Sequence, residues 1–482
     1  MMPLPLSRIA QWTGGRLHGV EAGPVPDVLV DAVATDTRTL DASDARAALF
    51  VALRGERFDG HDHVAAAAEA GARAALVARP VDVPLPQVVV ADTERALAAF
   101  AAALQHTRAT RVAAITGSNG KTSVKTLLLP ILHRAAGGGP GGAYANPGNR
   151  NNEIGLPLAV LDAPEQARFA VYEMGAGKPG DIAYLTAVVR PDAALVNNIA
   201  PAHLERMGSL LGVADTKAAI YDALPAGGVA VINADDAFAP YFAERAHGRR
   251  LLRFGLEASA DISARDIAPD GEGVRFTLVT PEGEVACTLA LPGRHNVRNA
   301  LAAASLALGL GASLEDIRAG LAEARPVAGR LVRHRLAGGA LLVDDSYNAN
   351  PGSLNAAIEW LASLPEAWLV LGDMRELGED ARALHAEGGR RAKGAGIARL
   401  FTLGELSAAA AEAFGEGACH FDSHEELADA LAEALAGAAL APRPGSGDRG
   451  ASAAPTVLVK GSRGSAMDRI VAALLEGETD AA

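Results

Sequence analysis

Short runs of apolar residues alternate with longer amphipathic stretches from one end of this chain to the other. In the first hundred residues the runs at 48–53, 74–78 and 88–90 read as buried strands, and the alanine-rich stretch 64–72 reads as a helix between them. That is the pattern of a small α/β domain reaching to about residue 107. A helix over 94–106 leads to a strand at 111–115, a glycine-containing loop and a second helix over 123–135. Further strands are expected at 169–172, 193–196 and 228–232. Continuous apolar runs of this kind are buried on both faces, so a parallel sheet with helices between the strands is expected. Residues 261–291 alternate with the period of an antiparallel hairpin, and a helix over 296–308 closes the unit. From Pro326 a third unit begins, with strands expected at 340–343, 367–371, 400–403 and 456–460 in a doubly wound sheet. The expected class is therefore α/β with three domains: a small N-terminal one at 1–107, a central P-loop ATPase-like parallel sheet at 108–325, and a C-terminal Rossmann-like domain at 326–482. The stretches 137–142 and 441–455, rich in glycine and proline, read as flexible segments within these units.

Composition narrows the partners. The chain has 482 residues, 49% hydrophobic and only 4% aromatic, so alanine, leucine and valine build its core. Lys and Arg number 44 against 57 Asp and Glu, a net charge of −13. That balance argues against bulk binding to nucleic acid or to anionic membranes, and any polyanionic substrate must be held by local donors. Cys287 and Cys419 are the only cysteines, which leaves no disulfide framework and no cysteine-based zinc site. The first residues carry no basic leader, and no apolar stretch of membrane-spanning length runs free of charge or proline. A reduced cytoplasmic monomer, without membrane insertion or a nucleic-acid partner, is expected.

The chemistry begins at 115–125, ITGSNGKTSVK. Glycine loops bind phosphate because small residues let backbone N–H groups close around the oxygens, with a helix N-terminus behind them. Lys121 is then placed for the β- and γ-phosphates and Thr122 for Mg²⁺, with Thr116, Gly117, Ser118, Asn119, Gly120 and Ser123 completing the loop. The strict pattern asks for a glycine where Ile115 stands. A preceding strand, a following helix and GKT in register favour a nucleotide site over a structural turn. Glu173 ends the strand at 169–172, and His203 follows the strand at 193–196. Singly, a strand-end glutamate reads as solvated and a loop histidine as a cap. Their common sheet edge with the loop makes them candidate metal ligands. Lys217, in an amphipathic helix, reads by itself as a solvated surface residue.

The whole ordered set of motifs resembles the Mur ligase family. The loop TGSNGKT at 116–122 resembles that family's own loop, which also lacks the first glycine. GNRNNEIGLP at 148–157, YEMGA at 172–176, NNIAPAHLERMGS at 197–209, GRHNVRN at 293–299, DDSYNANP at 344–351, LGDMRELG at 371–378 and VKGSR at 459–463 are similar to family segments. With DTR at 36–38 and ALRGERFDGH at 52–61, they span nearly the entire chain. NNEIG, DDSYNANP and LGDM-ELG point to the family activity that joins D-alanyl-D-alanine to UDP-N-acetylmuramoyl-tripeptide. No DNPR motif, usual in the relative that adds the third residue, occurs.

The resemblance implies ATP as phosphate donor, an acyl-phosphate intermediate and two Mg²⁺ ions held by Thr122, Glu173, His203 and a carbamylated Lys217. Lys121, Glu173, His203 and Lys217 are the implied catalytic set. Asn296 and Asn299 are implied at the adenine, Arg330 towards phosphate and Asp345 towards ribose. Thr37, Arg38 and Asp59 would face the UDP part, the second of these followed by an insertion where the family has a Pro-Gly turn. Asn151, Asn152 and Glu153 would position the muramoyl-peptide, and Tyr347, Asn348 and Asn350 would line the dipeptide pocket, although such clusters also make turns. A ligase for another amino acid, or a P-loop regulator or ATPase without ligase chemistry, are the competing readings.

Overall fold

The computed structural model describes the chain except residues 20–26, 42, 44–45, 140, 202–203, 441–453 and 480–482. Most of the glycine- and proline-rich stretch 441–455, expected as a flexible segment, thus lies outside the described residues. At the centre six strands run parallel in the spatial order Ala143–Ala145, Phe169–Glu173, Arg111–Thr116, Ala193–Val196, Val229–Asn233 and Arg250–Phe254. After Arg111–Thr116 the chain lays two strands on one side of it and then three on the other. The carboxyl end of that strand is therefore the point where the winding reverses, the position at which open α/β sheets bind ligands.

Helices cover both faces because the inner strands are apolar along most of their length. Val124, Leu127, Leu128 and Ile131 of the helix Lys121–Ala135 pack with Ile115, Val171 and Leu195, and the long alanine-rich helix Arg294–Gly309 packs beside them. On the opposite face one apolar cluster runs from Leu6 and Ile9 through Leu97 and Phe100 to Tyr172, Val196 and Tyr221. It joins the N-terminal unit to the central sheet in a continuous core.

The N-terminal sheet has five strands in the order Arg16–His18, Gln87–Val89, Ala74–Val77, Ala48–Val51 and Ala32–Ala34, all parallel except the first pair. The expected helix at 64–72 ends at Glu69, because Gly71 turns the chain with φ 101°. The stretch 261–291 forms a three-stranded antiparallel sheet from Ser263–Asp270, Gly273–Thr280 and Gly283–Leu289. The C-terminal sheet runs Val332–Arg335, Leu341–Asp345, Thr456–Lys460, Ala367–Gly372, Arg399–Leu403 and Ala418–Phe421, with only the first pair antiparallel.

One buried hydroxyl braces the strand that leads to the site. Tyr221 Oη accepts from Val196 N at 3.0 Å and donates to Val231 O at 2.8 Å. Tyr221→Phe leaves that amide and carbonyl without the hydroxyl in a dry environment. A loss of about 1–3 kcal/mol is expected, read as a lower midpoint in thermal unfolding.

Candidate active site

The loop 117–120 sits at the reversal point and is fastened by the neighbouring strand end. Ser118 N donates to Asn198 O at 2.9 Å, and Asn119 N donates to Asn198 Oδ1 at 2.8 Å. Asn197 Nδ2 donates to Asn119 O at 2.9 Å and to Asn299 Oδ1 at 3.2 Å. Gly120, with φ 78°, caps the helix behind the loop, and a Cβ there would meet Asn197 Nδ2 at 2.5 Å and Asn299 Oδ1 at 2.6 Å. Only glycine fits both the backbone and the space. Ile115 is not part of this loop. It is fully buried within the strand, in register with Glu173 and Leu195.

Lys121 opens the helix, and its Nζ donates to Gly117 O at 2.8 Å. Enclosure lowers the pKa of this ammonium; Glu173 opposes that shift and Arg330 adds to it. Glu173, 3% exposed, accepts from Thr122 Oγ1 at 2.9 Å through Oε2 and from Asn151 Nδ2 at 3.1 Å through Oε1. Burial alone would raise its carboxyl. The charges of Lys125 and Lys121, with hydrogen bonds from Thr122 and Lys125, outweigh it and hold the group below its ordinary value.

Lys217 corrects the reading of a solvated surface residue. It lies on Leu210–Asp222, is 2% exposed, and lines the same cavity as the loop. Burial first, then the charge of Lys121, push its amine down to about 7, with Asp181 opposing. Helical periodicity could not locate it, since at that position the helix faces the enclosed cavity rather than open solvent.

The C-terminal unit closes over the loop. Arg330 Nη2 donates to Thr122 Oγ1 at 3.0 Å, and its guanidinium lies 4.5 Å from the centre of the Tyr347 ring. Asn350 caps the helix Pro351–Leu361 through Oδ1 and donates from Nδ2 to Asn119 Oδ1 at 2.7 Å. Asp345 pairs with Lys460 at 2.7 Å; burial raises its carboxyl and Lys460 works against that. Asn296 Nδ2 donates to Pro292 O, and Asn299 Nδ2 to Asn296 Oδ1.

A cavity of about 700 Å³ gathers these parts. Gly117 to Ser123, Asn151, Asn152, Glu153, Glu173, Lys217, Asn296, Asn299, Arg330, Asp345, Tyr347, Asn348 and Asn350 all line it. Lys178, Arg206, Arg298 and Lys460 line it too and were not singled out from the sequence. An acidic chain thus concentrates cations in one cleft. His295, also at the wall, is held neutral by burial and by Lys460 and Arg298, which push it down to about 4.

Not every expected residue arrives there. Thr116 is buried, its hydroxyl donating to Met174 O at 3.0 Å, and acts in the strand rather than in the cavity wall. Thr37, Arg38 and Asp59 belong to the N-terminal unit outside the cavity. Arg38 pairs with Asp36, and Asp59 accepts from His61 and Arg79. His203 lies outside the described residues.

The donors present suit a magnesium nucleotide. Mg²⁺ takes one or two protein oxygens together with phosphates and waters, and Thr122 and Glu173 offer such a pair. Among the described residues no group of three or more His, Cys, Asp or Glu comes together, so a cation here would depend on phosphate oxygens for the rest of its shell. Arg330 Nε is buried without a partner among the described residues, a spare donor of the kind phosphate recruits.

Fold and site together define a P-loop nucleotide enzyme whose cleft is shared between a central parallel sheet and a C-terminal doubly wound domain. Family models match in order: the Mur ligase family catalytic domain at 33–116, the Mur ligase middle domain at 115–307 and the Mur ligase glutamate ligase domain at 329–463. The chain belongs to the Mur ligase family. It is 43% identical over 481 residues, 99% of this chain and 100% of the relative, to the UDP-N-acetylmuramoyl-tripeptide–D-alanyl-D-alanine ligase of Escherichia coli strain K12. The crystal structure of MurF from Acinetobacter baumannii superposes with a TM-score of 0.89 at 33% identity, covering 99% of each chain. MurF ligase from Thermotoga maritima in complex with ADP follows at 0.79 and 26%, over 94% of this chain and 99% of that one.

Proposed function

We propose that this chain joins D-alanyl-D-alanine to UDP-N-acetylmuramoyl-tripeptide at the expense of ATP. The observation that carries the reading is one cavity containing the phosphate loop, the loop 151–153 and the third-domain stretch 345–350. A carboxylate substrate, a nucleotide and an amine have to meet in such a place.

The terminal carboxylate of the tripeptide attacks the γ-phosphorus, the bond to ADP breaks, and an acyl phosphate forms. The dipeptide amine, having lost its proton, then attacks the acyl carbon, and phosphate leaves as the amide forms. The first step brings two anions together, so its barrier falls only where cations are already arranged. Lys121 and Arg330 bracket the phosphate side, and Thr122 with Glu173 would hold Mg²⁺ there. Bound Mg²⁺ supplies charge neutralisation between phosphate oxygens and the incoming carboxylate. His203 and Lys217 are proposed for a second ion. With its pKa pushed down to about 7, a substantial share of the Lys217 amine is unprotonated at neutral pH, the form that adds CO₂, and the carbamate would put one negative charge shared by two oxygens in place of a repelled ammonium. Asn296 and Asn299 are assigned to the adenine side, Asp345 to the ribose, and Asn151, Asn152 and Glu153 to the peptide. Tyr347, Asn348 and Asn350 are assigned to the dipeptide pocket, and Thr37, Arg38 and Asp59 to the UDP end. The three units, divided near 107 and 325, would carry UDP, ATP and dipeptide respectively.

Phosphate release is expected only when UDP-N-acetylmuramoyl-tripeptide, D-alanyl-D-alanine and ATP are all present, with the pentapeptide product seen by mass spectrometry. ATP hydrolysis at the same rate without either acceptor would instead identify an ATPase, and product with another amino acid a different ligase.

A further inference from the structure

The buried cation Lys125 lies one turn into the helix behind the phosphate loop, 7% exposed. Its ammonium donates to Asn146 O at 2.9 Å and Gly148 O at 3.2 Å, and lies 3.2 Å from Glu173 Oε2. A buried lysine is rare unless its charge has work to do, and this one joins three segments far apart in sequence. Asn146 adds to the knot. Its Oδ1 accepts from Glu173 N at 2.9 Å, and its Nδ2 donates to Glu173 O at 3.0 Å and Arg150 O at 2.8 Å. Gly175 N donates to Asn151 O at 2.8 Å, closing the loop 146–153 onto the strand end beyond Glu173.

We infer that Lys125 is a positioning residue that locks the loop 146–153 to Glu173 and to the helix that follows the phosphate loop. Resting on the ligase reading above, this makes it the part that registers the peptide carboxylate against the γ-phosphate. Asn151 and Asn152, which line the cavity, are carried by the tethered loop, and Asn151 reaches Glu173 directly. An apolar side chain at 125 would free both carbonyls and leave Glu173 with one cation fewer. A compact ammonium can serve three acceptors from one point, whereas a guanidinium spreads its donors over a rigid plane.

In Lys125→Met the KM for UDP-N-acetylmuramoyl-tripeptide should rise on the order of ten-fold with a fall in kcat, since sub-ångström misplacement of reactants is costly. The affinity for ADP, measured by calorimetry, should stay within about three-fold of wild type, because the loop 117–120 keeps its own anchors. Lys125→Arg keeps the charge beside Glu173 and should fold and melt closer to the wild-type protein than Lys125→Met does, while retaining a raised peptide KM, which a purely structural lysine would not produce. Wild-type peptide KM in Lys125→Arg overturns the inference, as does equal weakening of nucleotide and peptide in Lys125→Met. If the methionine variant does not fold, the arginine variant alone decides. The wild-type enzyme is assayed alongside: no product from it would sink the ligase reading, whereas product with unaltered variants sinks only the role of Lys125.

Discussion

Lys217→Met is expected to fold at least as stably as the wild-type protein and to turn over no product, a loss on the order of 10³-fold or more. The two halves of that result have one cause. Lys217 is 2% exposed, the residues three and four positions away on its helix (Val213, Ala214, Ile220 and Tyr221) are all buried, and among the described residues no hydrogen bond reaches its amine. Methionine fills similar space without an amine to desolvate. The sign follows from the depressed pKa. Between the folded value of about 7 and the ordinary 10.5, the unfolded chain binds more protons than the folded one. Wild-type stability therefore rises with pH across that window, and the cost of burial is fully present below it. In buffer freed of CO₂, the melting advantage of Lys217→Met should be largest at and below pH 7 and shrink towards pH 10.5. Added bicarbonate should leave the variant inactive, because it has no amine to modify. Near-normal turnover in Lys217→Met would remove the carbamate from the mechanism. A variant that melts far below wild type at pH 7 would show that the amine has a partner beyond those described.

The same residue marks the limit of what periodicity could reveal. Strands such as Phe169–Glu173 and Ala193–Val196 were legible because an all-apolar run between helices has only one stable home, a parallel sheet covered on both faces. The loop was legible because GKT between a strand and a helix is a local pattern. Lys217 and Lys125 were not, since a lysine in a helix reads as wet until the packing of other segments around it is known. Nor did local pattern show that Asn350 spends its amide on a helix cap and on Asn119, 231 positions away in sequence. Ile115 runs the other way. Its place in the strand ladder explains why the general loop pattern fails there: the chain stays extended and buried through 116, and the turn starts at Gly117. Edge strands such as Ala143–Ala145 are three residues long and leave almost no periodic trace.

Lys121→Met should produce the other large loss, again on the order of 10³-fold in kcat/KM, with the fold intact. The helix it opens is held by Val124, Leu127, Leu128 and Ile131, all buried, and methionine is a good helix former, so the melting temperature should barely move. What disappears is the ammonium held on Gly117 O, at the phosphate loop itself, with the charge of Glu173 acting on it. A nucleotide could still sit at the N-terminus of the helix that follows Gly120 and against Arg330, so ADP affinity is expected to drop far less than turnover. The split matters because the reaction presses a carboxylate against a phosphate. A cation that served only to hold ATP would lower KM and leave kcat alone, whereas one that cancels the developing repulsion must appear in kcat. Calorimetry with ADP and single-turnover formation of phosphate separate the two. If binding and turnover fell together by the same factor, Lys121 would be an anchor for the nucleotide, and the relief of repulsion would rest on Arg330, Lys217 and bound metal.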